Sequence, residues 1–151
     1  MLSRLSLRFE DDNDGTGELF AEVQHGRFSG IGSAWFGVAE LEAFGQALQD
    51  RFPLQLDSPI TLRGGYWAKT AVTELEQLHL GLRVYPIGST GLVGIKVELS
   101  TPVHANVRLE SQCSVAVELQ TNYEPLRTFG RDLVAVARSS ADQATLLAND
   151  A

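Results

Sequence analysis

A chain of 151 residues with 44% hydrophobic and 21% charged residues has the size and balance of one ordinary globular domain, which excludes disorder and collagen-like structure. Its single cysteine, Cys113, excludes a disulfide framework, and a chain this long buries enough surface to fold without one. The net charge of −7 disfavours nucleic acid, whose phosphates an acidic surface repels, and suits a basic protein partner, although the same charge also serves solubility.

Leu5, Leu7 and Phe9 alternate with Ser6, Arg8 and Glu10, the period of a strand with one buried face. Asp11 to Gly17 is rich in residues that tolerate positive φ and reads as a hairpin turn. The returning strand carries Leu19, Ala21, Val23 and His25 on one face, and a short third strand covers Ile31 to Phe36. The period then changes. Val38, Leu41, Phe44 and Leu48 form a helical stripe that Phe52-Pro53 ends. Ile60 and Leu62 begin a strand that reaches Trp67, with Gly64-Gly65 suggesting a bulge. Leu78 to Val84 and Val93 to Leu99 alternate about a turn at Pro86 to Gly91, a hairpin. A further alternating run from Val107 to Leu119, with Cys113 expected to pack as a small apolar residue, is too long for one strand and predicts a kink. A second helix starts near Glu124, with Asn122 as its cap and Leu126, Phe129 and Leu133 as its stripe. Residues 139–151 read as a flexible tail after a single domain spanning 1–138.

Leu41-x-x-Phe44-Gly45-x-x-Leu48 reappears as Leu126-x-x-Phe129-Gly130-x-x-Leu133, each after a group of strands. The pattern raises an internal duplication against coincidence among common helix residues. Two helix glycines at matching places point to close helix–sheet approach, because each costs about 1 kcal/mol relative to alanine. The expected architecture is α+β: a curved antiparallel sheet of about seven strands with two amphipathic helices packed on it.

The chemistry-bearing motifs are thin. Glu10, Asp12 and Asp14 imitate the start of a calcium loop, but Ala21 stands where the closing glutamate belongs. His25, His79 and His104 have no metal-ligand spacing, and the serine-elbow and phosphate-loop patterns fail. No catalytic, cofactor-binding or metal residue is therefore assigned, and an enzyme is the less favoured reading. Trp35-Phe36 and Tyr66-Trp67 are adjacent aromatics in extended segments, so one of each pair enters the core while the other can face outward. With Arg27, Phe28 and Arg63 nearby in sequence, Trp35, Tyr66 and Trp67 form a candidate contact surface, set against a reading in which both sheet faces are covered. No window is apolar enough to cross a membrane and no signal-peptide core opens the chain, which gives a cytoplasmic expectation.

Phe28-Ser29-Gly30 leading to Ala34-Trp35-Phe36, the Leu41-x-x-Phe44 helix, the alternating hairpin and the closing Leu126-x-x-Phe129-x-x-x-Leu133 helix together resemble small bacterial immunity-type domains of the WapI-like kind. The pattern spans most of the chain. The resemblance implies antiparallel sheet with helices on one side, no catalytic residues, and neutralisation of a toxin by binding it. The functional expectation is thus a non-enzymatic protein-binding module, antitoxin-like, that occludes a basic partner. The alternative is a small-molecule binder or minor enzyme with a pocket between helices and sheet lined by Trp35, Tyr66 and Trp67. A homodimer through an exposed sheet face or edge is the third reading.

Overall fold

A computed structural model describes residues 3–68 and 74–149. It contains eight strands in two antiparallel sheets of four and two α-helices. Strands β1 (Ser3–Asp11), β2 (Thr16–His25) and β3 (Phe28–Gly37) form a meander that runs without a linker into helix α1 (Val38–Asp50). Strand β4 (Ile60–Trp67) follows. Strands β5 (Leu75–Ile87), β6 (Leu92–Ser100) and β7 (Ser114–Asn122) form a second meander, which runs directly into α2 (Tyr123–Ala137) and then β8 (Ala144–Leu147).

The order β3-β2-β1-β8 makes sheet 1, and β4-β5-β6-β7 makes sheet 2. Each half of the chain is therefore three strands, a helix and a fourth strand, and the fourth strand pairs with the first strand of the other half. β8 lies on β1 with Leu5 opposite Leu146, and β4 lies on β5 with Leu62 opposite Leu82. One isolated bridge, Gln120 to Asn149, joins the end of β8 to β7. The expected single curved sheet is thus two sheets linked at one corner, with one more strand than expected.

The repeat extends to details. The recurring leucine begins at the fourth residue of each helix, and all of Leu41, Phe44, Gly45, Leu48, Leu126, Phe129, Gly130 and Leu133 are buried. Each large apolar side chain in this set contributes roughly 1.5–3 kcal/mol when taken from water. A glycine at positive φ in each hairpin turn touches the start of the following helix. The Gly15 carbonyl accepts the Val38 N–H at 2.8 Å, and the Gly91 carbonyl accepts the Asn122 side-chain amide at 3.4 Å. Asn122 occupies the N-cap position without capping its own helix through its side chain.

The two helices pack on each other through the repeated glycines. A Cβ on Gly45 would lie 2.8 Å from the Gly130 carbonyl oxygen, and one on Gly130 would lie 2.5 Å from the Gly45 oxygen. At the other end of the molecule β3 crosses the inner face of sheet 2, with Gly30 against Val115, Gly32 against Leu99, and Phe36 over Gly64. The core lies between the sheets and the helix pair, from Leu5, Leu19 and Phe36 to Leu82, Ile95 and Leu119.

Three sequence expectations need correction. The alternating run after Val107 is strand only from Ser114; before it stand a loop and a 3-10 turn over Leu109–Ser111, and Leu109 is 70% exposed. Cys113 is exposed rather than packed, because it lies where the loop rejoins the sheet. The segment read as a flexible tail contains β8, whose Ala144 and Leu146 are fully buried beside β1; the short stretch of two inward positions is too brief for periodicity to reveal. Residues 150–151 of that segment lie outside the described residues. No helix among the described residues is long and apolar enough to cross a membrane.

Gly45→Ala gains about 1 kcal/mol of helix propensity but must push the two helices apart. The expected net result is a loss of ~1–3 kcal/mol of unfolding free energy, measured by urea titration. Gly130→Ala should act alike, and the double variant should lose less than the sum, since the helices separate once.

Candidate binding surface

Alternation in sheet 1 places Leu5, Leu7, Leu19, Ala21, Val23, Ala34 and Phe36 inward and their neighbours outward. The register arranges the outward residues in rows. Trp35 lies beside Glu18, which lies beside Glu10; Ser33 beside Phe20 and Arg8; Ile31 beside Glu22 and Ser6. Trp35 is 56% exposed and Ile31 is 66% exposed. A shallow depression of about 180 Å³ lies between Ile31, Phe20, Arg8, Glu22, Ser6 and Gln143. This face is not covered by either helix.

Polar contacts hold it in shape. Ser33 Oγ donates to Glu18 at 2.7 Å, and Arg8 donates to Glu10 at 2.9 Å while its guanidinium stacks over the Phe20 ring, 4.3 Å from the centroid. Arg4 approaches Glu22 at 3.9 Å. Between Phe9 and Gly26 the sequence holds Glu10, Asp11, Asp12, Asp14, Glu18 and Glu22 and no lysine or arginine. Acidic character is therefore concentrated at the hairpin tip, through Asp11, Asp12 and Asp14, while on the face itself Arg8 and Arg4 stand against Glu10 and Glu22. At the tip Asp11 accepts the Asn13 N–H and Asp14 accepts both the Thr16 N–H and its hydroxyl, which lowers the Asp14 pKa. These carboxylates are turn-formers, as the failed calcium spacing suggests. No group of three or more metal-ligating side chains converges among the described residues.

The remaining sequence-selected residues do not join Trp35. Arg27 and Phe28 form the turn and first residue after β2, with Phe28 68% exposed. Arg63 lies on the outer face of sheet 2, around a small hollow over Gly81 that Arg83 and Lys96 also line. On the same face the Tyr85 hydroxyl donates to Glu118, and its pKa is pushed up to about 12 by burial first and then by that bond and charge. Tyr66 and Trp67 end β4, where two register shifts break the ladder and leave both rings part-exposed. Phe36 is buried and Trp35 exposed, one in and one out, whereas the bulges relax that alternation for the second pair. Trp35 thus faces solvent from sheet 1, and Tyr66 and Trp67 stand at the end of sheet 2. The three do not line a common pocket between helices and sheet.

Tyr66 belongs instead to a cluster that the sequence did not disclose. Gln77 clamps the loop after β6: its amide donates to the Val103 carbonyl at 2.9 Å, and its oxygen accepts the Val103 N–H at 3.1 Å. The same oxygen accepts from His79 Nε2 at 3.0 Å. Tyr66 sets its ring edge-on to His79, 4.5 Å between centroids, and hydrogen-bonds His104 Nδ1 at 3.2 Å. His79 is buried, and burial and the neighbouring His104 lower its pKa. A neutral imidazole that donates through Nε2 suits a structural role. Gln77 carried no signal as a lone polar residue in a strand.

Comparisons with protein-family models, with curated proteins and with solved structures return no match.

His79 binds its proton less readily when folded than when unfolded, where its pKa is near the ordinary 6.5. The unfolded state then binds more protons as pH falls, so this group's contribution is full above about pH 6.5 and declines below it. Unfolding free energies measured between pH 7.5 and 5.5 should show the decline, and His79→Gln should flatten it. An equal slope in the variant would exclude His79 as the source.

Proposed function

We propose that this protein is a non-enzymatic binding module whose sheet 1 outer face occludes a basic site on a protein partner, in the manner of an immunity protein. The observation that carries the reading is an exposed Trp35 and Ile31 on an uncovered sheet face that adjoins the acidic Asp11–Asp14 hairpin tip, with Glu18 beside Trp35 and Arg8 and Arg4 paired to Glu10 and Glu22. Large aromatic and aliphatic side chains supply most of the energy in a protein interface, while surrounding carboxylates select a cationic surface and speed the encounter. A rigid sheet keeps Trp35 and Ile31 in place, so little ordering cost is incurred on binding. The resemblance to WapI-like immunity domains and the net charge of −7 point the same way.

The test is affinity capture from the native host at low salt, followed by binding measurements on any protein recovered. Trp35→Ala and Ile31→Glu should each weaken that binding by ~30-fold or more, as expected of central anchors, without moving the melting temperature. Raising the salt should slow association, because the acidic hairpin tip steers a cationic partner. A partner whose affinity is unmoved by both substitutions would place the contact on another surface.

A further inference from the structure

Two of the four sheet edges are short or interrupted: β8 is only four residues long, and β4 is broken by register shifts at Gly64/Gly65 and Tyr66/Trp67. β3 is unbroken but lays one face on the inner side of sheet 2 through Gly30 and Gly32. β7 differs. Its pairing with β6 runs unbroken from Asn122 opposite Leu92 to Ser114 opposite Ser100. It has no proline, lysine or bulge, the usual devices that blunt an edge.

Two hydrogen bonds fix which of its backbone groups face outward. Thr101 N–H donates to the Cys113 carbonyl at 2.9 Å, so odd-numbered residues point toward β6. Asn149 N–H donates to the Gln120 carbonyl at 2.7 Å, so even-numbered residues point away from it. In an antiparallel ladder a residue turns its N–H and C=O to the same side. Ser114, Ala116 and Glu118 therefore present both groups at the free edge. All three residues are exposed, and their outward backbone groups have no partner among the described residues. The edge already accepts an antiparallel strand at its far end, through Asn149.

We infer that this edge is a self-association surface, on which a second copy of the chain lays its own β7 antiparallel with the two-fold axis at Ala116. In this register Ala116 meets Ala116, and Ser114 of each copy meets Glu118 of the other. Each of the three residues exchanges both backbone bonds with its opposite. The serine hydroxyl is placed to donate to the glutamate carboxylate across the junction. Toward the core side, Val115 meets Val117. No like charges face each other. Moving the axis to Glu118 would set two carboxylates in direct opposition, which disfavours that register. The two copies of sheet 2 become one continuous sheet. The five residues Ser114–Glu118 complement themselves about Ala116, up to the point where Asn149 occupies the edge at Gln120, and such a segment fits a second copy better than an unrelated one.

The experiment is sedimentation of the whole chain from low micromolar to near-millimolar concentration at physiological salt, which screens the repulsion between two acidic copies. Reversible dimerisation is expected. Ala116→Pro removes an outward donor at an edge position that tolerates proline, and should leave a monomer with an unchanged melting temperature. Ser114→Lys should tighten the dimer about fivefold by facing Glu118, and Ser114→Glu should weaken it about tenfold, both effects fading in high salt. If Ala116→Pro fails to fold, the two exposed Ser114 variants decide. A monomer at all concentrations would overturn the inference. So would self-association that Ala116→Pro leaves intact, or that the two Ser114 charges do not separate in opposite directions.

Discussion

The carbonyl oxygens of Gly45 and Gly130 each lie where the other residue's side chain would begin. Everything else in the architecture is spaced by that approach. With the helices at this separation, Leu41, Phe44 and Leu48 on one side and Leu126, Phe129 and Leu133 on the other fill the same interior. Wider helices would leave voids beside them, and a packed interior tolerates voids poorly. Each glycine weakens its own helix, a loss the shared burial offsets. The same economy of side chain recurs where β3 crosses sheet 2, at Gly30, Gly32 and Gly64, so both ends of the molecule are set by backbone meeting its neighbours closely.

Much of this was legible in the residues. Period two in the meanders and period near four in the helices gave the strands, the helices and most inward faces, because one-sided burial forces those rhythms. The repeated Leu-x-x-Phe-Gly-x-x-Leu motif indicated a close approach at its glycines but pointed it at the sheet, whereas the two glycines meet each other across the helix pair. Pairing between halves was not legible, since nothing local in Ala144 to Leu147 says that it belongs beside Leu5 to Leu7. The proposed surface was read only in part. Trp35 stood out as one of two tryptophans, but Ile31 and Phe20 join it through cross-strand register, which no single segment contains. The clamp by Gln77 depends on a loop more than twenty residues away in the chain and left no pattern.

The halves share a framework and diverge in surface. The first half turns through Asp12 to Gly15 and shows glutamates, Trp35 and Ile31 on its sheet. The second turns through Gly88 to Gly91 and shows Arg83 and Lys96 on its own, with Glu98 and Glu118 among them and Arg63 beside them on the borrowed β4. Similar inward demands suit the same residues in the stripe of each helix, whereas the outward positions, free of packing, carry different charges on the two sides.

The exchange of β4 and β8 between the halves also governs the order of assembly. During synthesis β1 precedes the other seven strands, yet the strand that completes its far side, β8, follows all of them. Sheet 1 must wait with that flank open while more than a hundred residues are added. Sheet 2 can close sooner, since β4 precedes β5 directly, and its helix then delivers β8 to the waiting edge. Each sheet therefore contains a strand from the other half, so neither sheet is complete until both halves are present.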